Sequence, residues 1–176
     1  MEIRKKLITL MSATAGERYE TPAYANTLGS GDRVAAMTGH VSTSGATMWG
    51  NIQSNPYMLW HFDGDTSNAG GYTNDGIAVA NEWYEWDLVT KHLITEIKFY
   101  FSAAAATCGV WRIQGYNGSW VNIGNTFTLG TGLTQTVDLS ANATGYTKYR
   151  MLGVSGNSSF NLYYWAEIEF KIGALL

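Results

Sequence analysis

The sequence predicts an all-β domain, an antiparallel jelly-roll sandwich of about eight strands, on three observations. Apolar and polar residues alternate with period two through most of the chain after residue 83. Polar, glycine-rich turns separate the alternating runs. No window carries a capped helical stripe.

In residues 83–88, Tyr84, Trp86 and Leu88 share one face, with Glu85 and Asp87 opposite. Leu93, Ile97, Phe99 and Phe101 share one face of the next run, while Glu96 and Lys98 take the other. The alanine run 103–106 is too short for a helix and leads into Thr107, Cys108 and Gly109. Trp111 and Ile113 alternate with Arg112 and Gln114. Shorter strands are expected at 120–123, 126–129, 134–139 and 148–154, with turns at 116–119, 130–132, 142–145 and 155–159. The last run is the cleanest: Ala166, Ile168, Phe170 and Ile172 against Glu167, Glu169 and Lys171. Trp86, Ile97, Phe99, Trp111, Ile113, Ile168 and Phe170 are therefore expected to point inward. Residues 12–58 are rich in Ser, Thr, Gly and Ala and show only weak strand signals near 33–43.

Composition excludes several classes. A chain of 176 residues fits one domain. Charged residues make up only 14%, yet 45% hydrophobic residues with 7 Trp, 11 Tyr and 6 Phe can form a packed core. Uninterrupted apolar runs fall far short of a membrane helix, so no membrane insertion is expected. A net charge of -3 gives no electrostatic reason for nucleic-acid binding. The single cysteine, Cys108, excludes an intrachain disulfide or a multi-cysteine zinc site and reads as a small packing residue. Residues 1–6 followed by five apolar residues are too short for a secretory signal. The chain is read as an N-terminal arm, 1–33, ahead of one domain, 34–176. Ile3, Leu7, Ile8, Leu10 and Met11 give the arm apolar area it cannot bury alone. Residues 3–11 are expected to add as a strand to the domain's own sheet or to a neighbour's.

The order of landmarks resembles the discoidin, or coagulation factor five/eight type C, family of galactose-binding-like jelly rolls. An aromatic-Asp-Gly-polar loop stands at Phe62-Asp63-Gly64-Asp65, after Trp60-His61. It is followed by Trp83-Tyr84-Glu85-Trp86-Asp87-Leu88, then by Ile94-Thr95-Glu96-Ile97-Lys98-Phe99-Tyr100. Trp111-Arg112-Ile113-Gln114-Gly115 with Trp120, then Tyr149-Arg150, then Ala166-Glu167-Ile168-Glu169-Phe170 complete the series. The family's Gly after Asp-Leu is Val89 here, and the stretch from Gly64 to Trp83 is longer than usual.

The resemblance implies a structural calcium beside the aromatic-Asp-Gly loop. Asp63 would ligate through its carboxylate, and Trp60 and Asp65 through their carbonyls. Ser67 or Asn68 would add a side-chain oxygen, and Glu167 with the carbonyl of Ala166 would close the site. Oxygen ligands at this spacing suit a hard cation. The alternative reading makes Asp63 a turn cap and Glu167 a solvent-facing strand residue.

No enzyme constellation emerges. His40, His61 and His92 have no metal or triad spacing. Gly153-Val154-Ser155-Gly156-Asn157 lacks the final glycine of a nucleophile elbow. Gly130-Thr131-Gly132 opens no dinucleotide-binding helix. The sequons at Asn117, Asn142 and Asn157 are what chance supplies in an Asn-, Ser- and Thr-rich chain.

Aromatic residues outnumber what the core needs. Trp83 or Trp86, Trp111 and Trp120 fall in the family's sheet motifs and are assigned to the core. Tyr116 falls beside a turn. Trp49, Tyr57, Tyr72, Phe160, Tyr163 and Tyr164 fall in or beside loops, with Asn157 at the rim, and form the candidate ligand-binding set. Flat aromatic faces with planar hydrogen bonders suit sugars; burial against neighbouring subunits is the competing reading. The function expected is a non-enzymatic virion surface protein, a bacteriophage head-decoration, tail or fibre component, with a glycan-binding jelly roll. Its expected partners are cell-surface glycan, other virion proteins and further copies of itself. A free-standing or secreted carbohydrate-binding module and a purely structural subunit are the alternatives.

Overall fold

A computed structural model describes residues 17–24, 41–43, 71–72, 76–101, 108–130, 132–158 and 164–176. Among these, nine strands occur and no helix: β1 (Ala23–Tyr24), β2 (Val41–Thr43), β3 (Gly71–Tyr72), β4 (Trp83–Phe101), β5 (Cys108–Tyr116), β6 (Trp120–Thr128), β7 (Thr134–Asp138), β8 (Tyr146–Ser158) and β9 (Tyr164–Ala174). Every pairing is antiparallel.

The two runs at 83–88 and 93–101 form one strand of 19 residues. Val89, Thr90, Lys91 and His92 contain no glycine or proline to break the ladder. The first half of β4 pairs with β2 and β8, and β8 continues to β5 and β6. The second half pairs with β9 and β7, and β9 carries β1 and β3. The strand thus passes from one layer to the other. Its pairing slips between Asp87 and His92 and again between Ile94 and Glu96. The buried positions change with it, from Tyr84, Trp86 and Leu88 to Ile97, Phe99 and Phe101. An odd number of inserted positions is what flips a strand's apolar face.

All seven residues expected inward are buried. The layers meet through their aromatic side chains. Trp86 packs edge-on to Phe170 with ring centroids 5.2 Å apart, and Phe99 stacks near Phe127 at 6.3 Å. Among the described residues the Trp86 indole N–H is buried without a hydrogen-bond partner, whereas other buried polar groups are served. The Trp111 indole donates to the Cys108 carbonyl at 2.6 Å. The Tyr149 hydroxyl donates to the His92 carbonyl at 2.7 Å and accepts from the Ile94 amide at 3.2 Å. Cys108 is buried, as expected. Asn142 is also buried and donates to the Ile94 carbonyl at 2.9 Å.

Two boundaries differ from expectation. The runs at 120–123 and 126–129 merge into β6. Residues 155–158 of the turn expected at 155–159 are instead the end of β8, where Ser158 pairs with Cys108 and Gly156 takes a positive φ of 86° at a shift in register.

Part of the arm is an edge strand of this domain. β1 pairs Ala23 with Ile172 and Tyr24 with Lys171, and Tyr19 bridges to Leu175. Glu17 ion-pairs with Lys91, and Tyr24 donates to Glu96. The Tyr19 hydroxyl donates to Glu17 at 2.6 Å and accepts from the Gly145 amide at 3.1 Å. A side chain at Gly145 would lie 2.5 Å from the Tyr19 ring, so glycine is what admits it. Residues 3–11, proposed as a strand from sequence, lie outside the described residues.

Segment 76–82 closes on β8 in the same way. The Gly153 amide donates to the Glu82 carbonyl at 2.7 Å, and the Gly153 carbonyl accepts from Asn81 at 3.0 Å. A Cβ at Gly153 would stand 1.8 Å from the Val79 carbonyl oxygen. Because the obstacle is backbone, Gly153→Ala should destabilise the domain by at least about 1–3 kcal/mol. Denaturant midpoints at unchanged m-value measure this, and an unchanged midpoint would show that 76–82 can lift away.

Burial, followed by the bond to Glu17, pushes the Tyr19 hydroxyl from its ordinary 10.0 up to about 12. Folding thus favours the neutral phenol. Its contribution is whole below pH 10 and fades as the pH rises toward 12. The melting-temperature gap between wild type and Tyr19→Phe should narrow over that range. A gap that stays constant from pH 9 to 12 would contradict it.

Candidate functional site

β5 and β8 set the two ends of the sandwich. At one end Cys108 meets Ser158; at the other, β5 turns into β6 beside the start of β8.

The first end holds what the structure describes of the sequence-derived site. Tyr72 and Tyr164, 92 positions apart in the chain, are direct partners in the β3–β9 ladder. Asn157 is exposed and bridges Ala78. Ala166 and Glu167 follow in β9 and both are 0% exposed. Glu167 is therefore not the solvent-facing strand residue of the alternative reading. Glu169, which shares its face by alternation, is also buried and accepts from the Tyr100 hydroxyl at 2.9 Å. Period-two alternation reads such glutamates as outward, yet β9 lies inside its layer, flanked by β4 on one side and by β1 and β3 on the other. Trp49, Tyr57, Trp60, Asp63, Asp65, Ser67, Asn68, Phe160 and Tyr163 lie outside the described residues. Among the described residues no three His, Cys, Asp or Glu side chains gather as a metal site. A fully buried carboxylate on β9 is the donor that a cation at this end would use.

The second end holds a cluster that the sequence reading misplaced. Trp120 is half-buried rather than in the core. It lies 5.1 Å from the Tyr116 ring, and the Arg150 guanidinium stacks 4.1 Å above it. Arg150 Nε donates to Gln114 Oε1, and Gln114 Nε2 donates to Asn122 Oδ1, each at 2.8 Å. Burial lowers the Arg150 pKa, while Glu85 opposes the shift. The signal was available: Arg112, Gln114 and Tyr116 alternate away from the buried Trp111 and Ile113, and Trp120 is Tyr116's partner across the turn. Beside this cluster a cleft of about 460 Å³ is lined by Lys91, Tyr116, Asn117, Gly118, Thr144, Gly145 and Thr147.

No protein-family model matches the chain, and no curated protein matches it in sequence. Solved structures do match. One is a chitosan-binding module 2 in complex with chitotriose, from a Paenibacillus sp. IK-5 chitosanase/glucanase. It is 16% identical with a TM-score of 0.52, over 77% of this chain and 98% of that one. The family 32 CBM of a C. perfringens protein, in complex with galactose, is 13% identical with a TM-score of 0.52, over 77% and 96%. The C-terminal domain of a Bacteroides fragilis chitobiase is 12% identical with a TM-score of 0.55, over 80% and 97%. The fold is the galactose-binding-like jelly roll. At these identities the likeness concerns architecture, and it agrees with the family resemblance read from the motifs.

Proposed function

We propose that this chain is a non-catalytic glycan-binding domain whose ligand sits at the end where β3 meets β9. The pairing of Tyr72 with Tyr164 carries this reading, because it joins two stretches of the sequence that are rich in aromatic and amide residues. Trp49, Tyr57, Phe160 and Tyr163 would supply further ring faces for the C–H surface of a sugar, and Asn157 a planar hydrogen bonder. Similar folds that hold galactose and chitotriose support the ligand class.

On a virion surface the same domain would face the host while residues 1–16 dock to the particle. Among the described strands β1 pairs with β9 alone, which favours that placement. A glycan array of the full chain tests both parts. Tyr164→Ala should lose at least tenfold in affinity with little change in melting temperature. Deleting residues 1–16 should leave glycan binding intact and abolish self-association. Binding that survives Tyr164→Ala and Tyr72→Ala together would remove the site.

We propose further that Glu167 and Asp63 close one calcium site with the carbonyls of Trp60, Asp65 and Ala166 and an oxygen of Ser67 or Asn68. The buried Glu167 carboxylate fits such a role. Calcium at a hundredfold excess over Kd should stabilise the fold by about 2.7 kcal/mol, a rise of several degrees. Glu167→Gln should remove the response; an unresponsive wild type would dismiss the metal.

A further inference from the structure

We infer that the cleft at the hairpin end is a second binding site, for a neutral pyranose. The inference rests on the glycan-binding reading for its ligand class only, since the residues and the place are different. The nine residues of β5, at about 3.3 Å each, separate this cleft from the end where Cys108 meets Ser158 and Asn157 bridges Ala78.

The cleft is built around a tight turn. Tyr116 and Trp120 are paired across Asn117, Gly118 and Ser119, and Gly118 adopts a φ of 100°, which an L side chain rarely takes. The turn holds Tyr116 38% exposed and presents the Asn117 amide to solvent. Thr144 and Thr147, which carry hydroxyls, also line the cleft. An aromatic face beside amide and hydroxyl groups matches a sugar, which has an apolar C–H surface rimmed by hydroxyls. About 460 Å³ is ordinary for a small-ligand cleft.

Charge decides between neutral and acidic sugars. Among the described residues Lys91 is the only charged group lining the cleft, and the Glu17 carboxylate already occupies it. A ligand carboxylate would have to displace Glu17 and would meet its negative charge. The nearby Arg150 is held over Trp120 and bonded to Gln114. A neutral ring loses nothing by this arrangement. Residues 17–24 also shape the wall, because Tyr19 packs against Gly145, a lining residue.

The test is a titration of the isotope-labelled full chain, followed by amide chemical shifts, with D-galactose, chitotriose and D-galacturonate. A neutral sugar should shift Asn117, Gly118, Gly145 and Thr147 saturably, and galacturonate should bind no more tightly than galactose. Tyr116→Ala should weaken that response at least tenfold while shifts near Asn157 and Tyr164 persist. Shifts confined to Asn157 and Tyr164 would overturn the second site and leave the first standing. Shifts confined to the hairpin end would support the second site and remove the first. Silence at both ends would defeat both, and tighter binding of galacturonate would overturn the neutral class.

Discussion

The fold depends on β4 staying continuous while it changes layers. One strand hydrogen-bonds to β2 and β8 early and to β9 and β7 late, so the two layers share a backbone rather than merely touching. The slip between Ile94 and Glu96 moves the buried positions from Trp86, Leu88 and Ile94 to Ile97 and Phe99, so Trp86 and Phe99 face the same core although their positions differ by an odd number. Phe170 from β9 and Phe127 from β6 then close on those rings from opposite layers. Without the slip, one half of β4 would turn its apolar face to solvent.

Large rings require absent side chains nearby. Tyr146 crosses the site of a Gly115 side chain, Tyr19 that of Gly145, and the backbone at Val79 that of Gly153. Aromatic bulk and glycine are therefore complementary parts of one packing scheme in this chain. The scheme also explains how segment 17–24, with little aliphatic area of its own, is seated. Its ring enters a gap that the sheet leaves open, and its backbone completes the ladder of β9.

The inward residues were legible because each sits in a run whose alternation is unbroken, as at 111–114 and 166–172. The continuity of β4 was not. Val89, Thr90, Lys91 and His92 alternate with neither neighbour, and a parity change looks like a gap between two strands. Alternation places Glu167 and Glu169 opposite the core face yet leaves their burial undetermined, because alternation reports polarity and burial on the second face depends on what covers the sheet. Trp120 was assigned by analogy with the family's core tryptophans, whereas its register opposite Tyr116 places it outward. The pairing of Tyr72 with Tyr164 depends on a ladder between distant segments that no local pattern encodes.

Charge economy links the fold to what it can recognise. Several of the chain's few charges are spent internally: Lys91 on Glu17, Lys148 on Glu85 and Asp87, and Glu96 and Glu169 on tyrosine hydroxyls. The hydrogen bond to Asp87 raises the Lys148 pKa, consistent with a cation already engaged. Arg150 acts as a planar group stacked on Trp120 more than as a free charge. A surface so organised has weak long-range steering and selects by shape, ring stacking and hydrogen bonding at short range. Neutral, hydroxyl-rich ligands are the class for which that trade costs least, because they offer no charge to be matched and many hydroxyls to be paired.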